Sequence, residues 1–293
     1  MTTARASWRF DAIGTRWEVQ TVAALPDDAR RAASAVIDRF DREWSRFRPD
    51  SLVSALADGA GERGLRAPAD AAAMLDAYAE LFEATEGAVD PLVGDALAHR
   101  GYDAQYSLID RGPLAATGDW RERLTWRDGD ITLRGAGTID VGALGKGRLV
   151  DLVTACLGPW AEGGVIVDAG GDISVTGVTE RIGLEHPYDP TRAIGVWEVT
   201  DAALCASAVN RRAWGEGLHH VLDARTGQPV RTTAATWAVA PTAMHADAVA
   251  TALFFPGAEA LAARWGVSWV RMATDGRVEW SPGCTAELFR GAR

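Results

Sequence analysis

The stretch that most limits how this chain can fold runs from Ala234 to Phe255, AATWAVAPTAMHADAVATALFF. On composition alone it is apolar enough to suggest a membrane crossing. Pro241, His245 and Asp247 interrupt it, however, and leave no clean span of about 20 apolar residues. The pattern predicts instead a buried helix of a soluble protein, with a carboxylate in its middle. Burying Asp247 unpartnered costs roughly several kcal/mol, because the lost hydration is not replaced. Thr251 follows four residues later, so its hydroxyl shares a helix face with that carboxylate about one turn away. Two readings follow: the groups satisfy each other, or both serve a shared metal or ligand.

The rest of the composition narrows the classes. With 293 residues, 47% of them hydrophobic, the chain can bury a large core. A net charge of -10 offers no broad basic surface, which argues against nucleic acid and against anionic membranes. Any anionic ligand has to be met locally. The three cysteines, Cys156, Cys205 and Cys284, are odd in number and lack paired spacing, so they read as core thiols. The N-terminal MTTARASWRFDAIGTRWEVQ has no apolar signal-peptide region, cleavage site or lipid-acceptor Cys, and the expectation is a cytoplasmic protein without membrane insertion.

No repeat, low-complexity tract or long linker divides the chain, which favours one interwoven domain over residues 1–293. TRWEVQTVA reads as a strand. PDDARRAASAVIDRFDREWSRF has helical spacing, with Ala35, Ile37, Phe40 and Trp44 near one face. A second helix is predicted from about Pro68 to Thr85 with Asp70 as an early-turn acid, and a third over GRLVDLVTACLGPW. Strands then dominate: GGVIVDAGGDISVTG, RIGLEHP, AIGVWEV and LHHVLDA precede the Asp247 helix, and VSWVRMATDGRVEWSP closes as a hairpin. The fold class is α/β (α+β), with a mixed, largely antiparallel sheet and flanking helices.

Three segments carry candidate chemistry. In TIDVGALGKGRLVD, Thr138 to Asp151, Gly142, Gly145 and Gly147 allow close backbone approach, the helix start favours an anion, and Lys146 adds a point charge suited to phosphate. The spacing matches neither of the common nucleotide-binding glycine motifs, and a purely structural turn remains open. In VIVDAGGDISVTG, Gly170 and Gly171 sit between two strand-like runs, flanked by Asp168 and Asp172. They form either a tight hairpin with capping aspartates or a floor under a flavin or nucleotide. In HHVLDARTG, His219 and His220 face opposite ways if the segment is a strand, and Arg225 meets a phosphate or simply pairs with Asp223.

Taken in order, these segments resemble the FAD:protein FMN transferase family, also called the ApbE family, from about Gly14 to Leu253. The series comprises Gly14-Thr15; Ser45, Phe47, Pro49 and Ser51; Gly87, Ala88, Asp90 and Pro91; DVGALGKG; the Gly170-Gly171 hairpin; HVLDARTG; and APTAMHADAVATAL. The last matches the family's Ala-Pro-Thr-Ala-x-x-Ala-Asp-x-x-Ala-Thr-Ala-Leu at every named position. Three positions depart from the pattern: Ile13 stands where Met often precedes Gly-Thr, Ala224 where Pro is usual, and Ala208 where Gly usually follows Ser207.

The resemblance implies a Mg2+ site made of the Asp247 carboxylate, the Thr251 hydroxyl and the Ala143 carbonyl, an all-oxygen set of the kind that hard ion accepts. It implies further that Asp140 and Lys146 line an FAD site, that His220 and Asp223 lie beside the reacting groups, and that Gly170, Gly171 and Ser207 flank the cofactor. The implied reaction transfers FMN from FAD to a Ser or Thr hydroxyl of an acceptor flavoprotein and releases AMP. Lys146 assists, and His220, Asp247 or Asp223 is the base. Alternatives that keep the site are an FAD pyrophosphatase giving FMN and AMP, and a non-catalytic flavin-binding protein. No segment of this chain resembles the family's acceptor motif, Asp-x-x-Ser/Thr-Gly-Ala-Ser/Thr, so the expected acceptor is another protein.

Overall fold

The computed structural model describes residues 5–57, 61–116 and 118–289. Its centre is a nine-stranded sheet. Strands β1 (Ala6–Ala12) and β2 (Thr15–Thr21) form an N-terminal hairpin; helices α1 (Asp27–Trp44) and α2 (Leu52–Ala57), strand β3 (Glu62–Arg66), and helices α3 (Ala71–Ala84) and α4 (Gly94–His99) follow. Strands β4 (Leu124–Arg127) and β5 (Asp130–Arg134) pair with β3 in a separate three-stranded sheet. Helix α5 (Gly145–Leu157) then leads into β6 (Val165–Asp168) and the long strands β7 (Asp172–His186) and β8 (Asp189–Ala208). The short strands β9 (Ala213–Trp214), β10 (Leu218–His219), β11 (Leu222–Asp223) and β12 (Gln228–Pro229) come next. The chain ends in β13 (Thr233–Ala240), α6 (Ala243–Ala252), α7 (Ala258–Arg264), β14 (Ser268–Ala273), β15 (Val278–Trp280) and β16 (Glu287–Leu288).

The large sheet runs β1-β2-β6-β7-β8-β13-β14-β15, with β16 added alongside β8, and its pairings are antiparallel. Both faces are covered. Along β6, Val165 and Val167 join the core under the helices while Ile166 joins a second core on the opposite face. Ala203 and Cys205 alternate with Leu204 on β8 in the same way. A strand buried on both sides has no polar face to show, which is why these segments read as continuous apolar runs.

Two expectations need correction. Ala35 is exposed; the buried stripe of α1 is Ala29, Ala33, Ile37, Phe40 and Trp44, spaced by four, four, three and four, and Ala35 lies two residues off it. LHHVLDA is not one strand but two two-residue ladders, β10 and β11. The segment changes partner between His220 and Val221: the His220 N–H bonds the Arg212 carbonyl in register with β9, whereas the Val221 carbonyl accepts the Val230 N–H in register with β12, and the Val221 N–H turns back onto the His219 Nδ1.

Candidate active site

Helices α5 and α6 approach closely because Gly147 has no side chain. A Cβ there would lie 2.2 Å from the Ala243 carbonyl oxygen and 2.7 Å from the Asp247 Cβ. Two further ties fix the pair. The Asp151 carboxylate on α5 accepts the Ala243 and Met244 N–H groups at 2.7 and 3.0 Å, capping the start of α6 from outside, where the helix carries positive partial charge. Thr242 caps the same helix from within by accepting the His245 N–H at 3.3 Å. The Gly147 N–H in turn donates to the Asp247 Oδ2 at 2.9 Å. Asp247 is therefore held across the helix pair, by a backbone amide rather than by the Thr251 hydroxyl.

A second buried acid lies beside it. Asp172 begins β7 opposite Cys205 and is fully buried; the Lys146 ammonium lies against its Oδ2, and neither oxygen receives a well-formed hydrogen bond among the described residues. Burial draws the Lys146 pKa down, but Asp172 and then Asp247 outweigh it and leave it raised. Burial first and Asp172 second push Asp247 well above the usual carboxylate range, against the pull of Lys146 and the Gly147 N–H. Two buried carboxylates share one half-buried lysine, and the surplus negative charge is what a cation would relieve. No group of three or more His, Cys, Asp or Glu suited to a metal occurs among the described residues. An ion here has to be held mainly by neutral oxygens and by the ligand.

Lys146, Ala143 and Thr251 line a cavity of about 630 Å³ together with Asp140 and His220. This is the size range of small-molecule sites. Asp140 receives the Gly142 N–H at 2.7 Å and pairs with Arg46, a buried residue whose Nη1 donates to the Tyr102 carbonyl at 2.8 Å. The Arg46 guanidinium sits 4.2 Å from the Phe47 ring centroid, Phe47 stacks on Tyr106, and Tyr102 stacks on Trp214 at 5.4 Å. These rings form an aromatic wall with a cation set into it. Asp90, also lining the cavity, is pushed up to about 6 by burial.

The two histidines divide between core and cavity. His219 is buried, its Nε2 bonding the Val230 carbonyl at 2.7 Å. His220 lines the cavity with its Nδ1 buried and without a hydrogen-bond partner among the described residues. Burial, then Arg212, lowers the His220 pKa to about 3. Its ring is neutral through the physiological range, able to accept a proton but a weaker base than an ordinary histidine.

Other candidates lie elsewhere. Gly170, Gly171 and Ser207 line a separate cavity of about 280 Å³. Asp168 caps the glycine turn by accepting the Gly171 N–H at 3.0 Å, as the hairpin reading expects, whereas Asp172 does not cap it. Asp223 pairs with Arg225 in a turn and is not among the residues lining the large cavity. Sequence reasoning missed Arg46, Tyr102, Trp214 and the pairing of Asp172 with Lys146. The wall comes from three segments distant in sequence, and only their aromatic content hinted at it.

Solved structures share this fold. The ApbE protein of Thermotoga maritima MSB8 superposes with a TM-score of 0.83 at 23% identity, covering 95% of this chain and 97% of that one. The flavinyl transferase ApbE of Pseudomonas stutzeri, apo form, gives 0.80 at 21% identity, covering 95% of each. The class is thus that of ApbE-like folds. The ApbE family profile matches residues 13–268, and the chain belongs to that family. Among curated relatives, an FAD:protein FMN transferase of Rhodobacter capsulatus is 27% identical over 95% of this chain and 57% of its own length. A second, from Treponema pallidum (strain Nichols), is 30% identical over 41% of this chain and 38% of its own length. The chain spans about half the length of the curated relatives it matches.

Proposed function

We propose that this protein transfers FMN from FAD to a Ser or Thr hydroxyl of an acceptor flavoprotein, with Mg2+, releasing AMP. One observation carries the reading: Ala143, Lys146 and Thr251 line one cavity with His220, while Asp247, one turn from Thr251, is buried with more negative charge than its lysine offsets. Ala143, Asp247 and Thr251 would hold the ion. When bound, Mg2+ would neutralise the pyrophosphate and stabilise the charge that develops on it.

The chain's own groups do the rest. Lys146 places a fixed positive charge at the cavity wall, and Asp140 with Arg46 shapes the floor beside the aromatic rings. The acceptor hydroxyl forms a bond to the FMN-side phosphorus, the bond to the AMP phosphate breaks, and the hydroxyl proton passes to a base. His220 is favoured over the alternatives because its ring is neutral and borders the cavity, whereas Asp223 is engaged by Arg225 and Asp247 by the Gly147 N–H.

The test is AMP release and acceptor mass. Slow FAD cleavage is expected from the protein alone, and fast AMP release with one FMN added to the acceptor when a fragment bearing Asp-x-x-Ser/Thr-Gly-Ala-Ser/Thr is supplied. Fast AMP release that ignores the fragment, with no mass added to it, would replace the transferase reading by the hydrolase. Binding of FAD without any turnover would leave a flavin-binding protein.

A further inference from the structure

Tyr78 lies on the inner face of α3, with Met74, Leu75 and Leu81. Its ring is almost fully buried, yet it borders the large cavity. Its hydroxyl donates to the Asp140 carbonyl at 3.1 Å and accepts the Ala143 N–H at 3.3 Å. One phenol thus closes the turn from Asp140 to Ala143 from outside. The Leu144 N–H bonds the Val141 carbonyl at 3.2 Å, so the residue carrying the Ala143 carbonyl is restrained on both of its flanking amides. A packing role needs only the ring. The two hydrogen bonds need the hydroxyl, and both end on the turn that presents Asp140 and Ala143 to the cavity and leads into α5.

We propose that Tyr78 is a positioning residue that sets the aim of the Ala143 carbonyl toward the cation. The inference rests on the Mg2+ reading given above and adds a residue to it. Groups that orient a ligand in this way typically change metal affinity by about 10–100-fold when removed. Tyr78→Phe keeps the ring and its packing while leaving the Asp140 carbonyl and the Ala143 N–H without that partner. Leu75→Ala is the contrasting variant: Leu75 is equally buried on the same helix but is not among the residues lining the cavity, so it removes packing alone.

The experiment is a Mg2+ titration of the full chain with FAD present, read by the change in tryptophan fluorescence, alongside FAD affinity in EDTA and a thermal melt. Tyr78→Phe is expected to raise the half-saturating Mg2+ concentration about 10-fold or more, with FAD affinity in EDTA unchanged. Leu75→Ala is expected to lower the melting temperature without moving the Mg2+ midpoint. An unchanged midpoint in Tyr78→Phe overturns the proposal, as does an equal loss of FAD affinity with and without Mg2+, or an equal midpoint shift in Leu75→Ala. A wild-type protein whose FAD binding ignores Mg2+ is a separate result, which removes the metal reading itself and this inference with it.

Discussion

Gly147→Ala sets two effects of opposite sign against each other. In a helix interior, Ala is favoured over Gly by about 0.8–1.0 kcal/mol, so propensity alone says the change stabilises. The structure says otherwise. The new Cβ would sit 2.2 Å from the Ala243 oxygen, 2.6 Å from its carbonyl carbon and 2.7 Å from the Asp247 Cβ. None of these atoms can rotate away. Since C···O contacts settle near 3.3–3.6 Å, α5 and α6 must part by roughly 1 Å. That movement stretches the 2.9 Å bond from the Gly147 N–H to Asp247 beyond bonding range. Overpacking costs about 1–3 kcal/mol and the lost bond about 1–3 more, which together exceed the propensity gain and leave a net loss of about 1–5 kcal/mol. At about 2–4 °C per kcal/mol for a chain of this size, the melting temperature falls by roughly 2–20 °C. Turnover falls with it, because Lys146 and Asp247 move apart. Gly158 supplies the control: it has right-handed helical angles at the end of the same helix and open space around its Cβ position. Gly158→Ala is expected to raise stability by about 0.4–1 kcal/mol. Calorimetric melts of both variants check the reasoning. A Gly147→Ala protein that melts at or above the wild type with full turnover would refute it.

Further expectations follow from the same site. Asp247→Asn removes the excess buried charge, so without Mg2+ near pH 8 the variant should melt at or above the wild type, while any upward shift of the melt on adding Mg2+ and FAD disappears and turnover is abolished; a retained shift ends the metal assignment. His220→Ala should lower turnover by about 10²–10⁴-fold with little change in the melt, whereas His219→Ala, which loses the bond to the Val230 carbonyl, should lower the melt and leave turnover within about threefold. Equal effects would move the base elsewhere. Asp90, raised to about 6, binds a proton in the folded state that the unfolded chain has released, so its contribution to stability is lost as pH rises from about 4 to about 6. Asp90→Asn should remove that decline, by roughly 2–3 kcal/mol, and denaturant midpoints across the window measure it; a slope that persists in the variant assigns it to another group.

What could be read from the sequence followed the range over which each signal acts. Asp247 inside an apolar helix is a local anomaly, and four-residue spacing was enough to place it near Thr251. The partner that holds it is the Gly147 amide, one hundred residues away in sequence, and only the close approach of α5 and α6 reveals why a glycine must stand there. Local pattern also predicts that aspartates flanking Gly-Gly cap the turn, and Asp168 obeys it. Asp172 breaks the pattern because strand alternation turns it inward, opposite Cys205 and toward α5, where the demand of Lys146 for a counter-charge outweighs what a turn cap would gain. Ala35 failed for a simpler reason: small residues suit either face of a helix, and only the larger Ile37, Phe40 and Trp44 carried phase information. The aromatic wall shows the limit most clearly. Phe47, Tyr102 and Tyr106 come from loops and Trp214 from the short strand β9, with no shared period, and Arg46 becomes meaningful only once Asp140 and those rings surround it. A site assembled from separate loops leaves its polar members legible through their cost of burial, while its apolar members, which carry no such cost, are silent until the chain is folded.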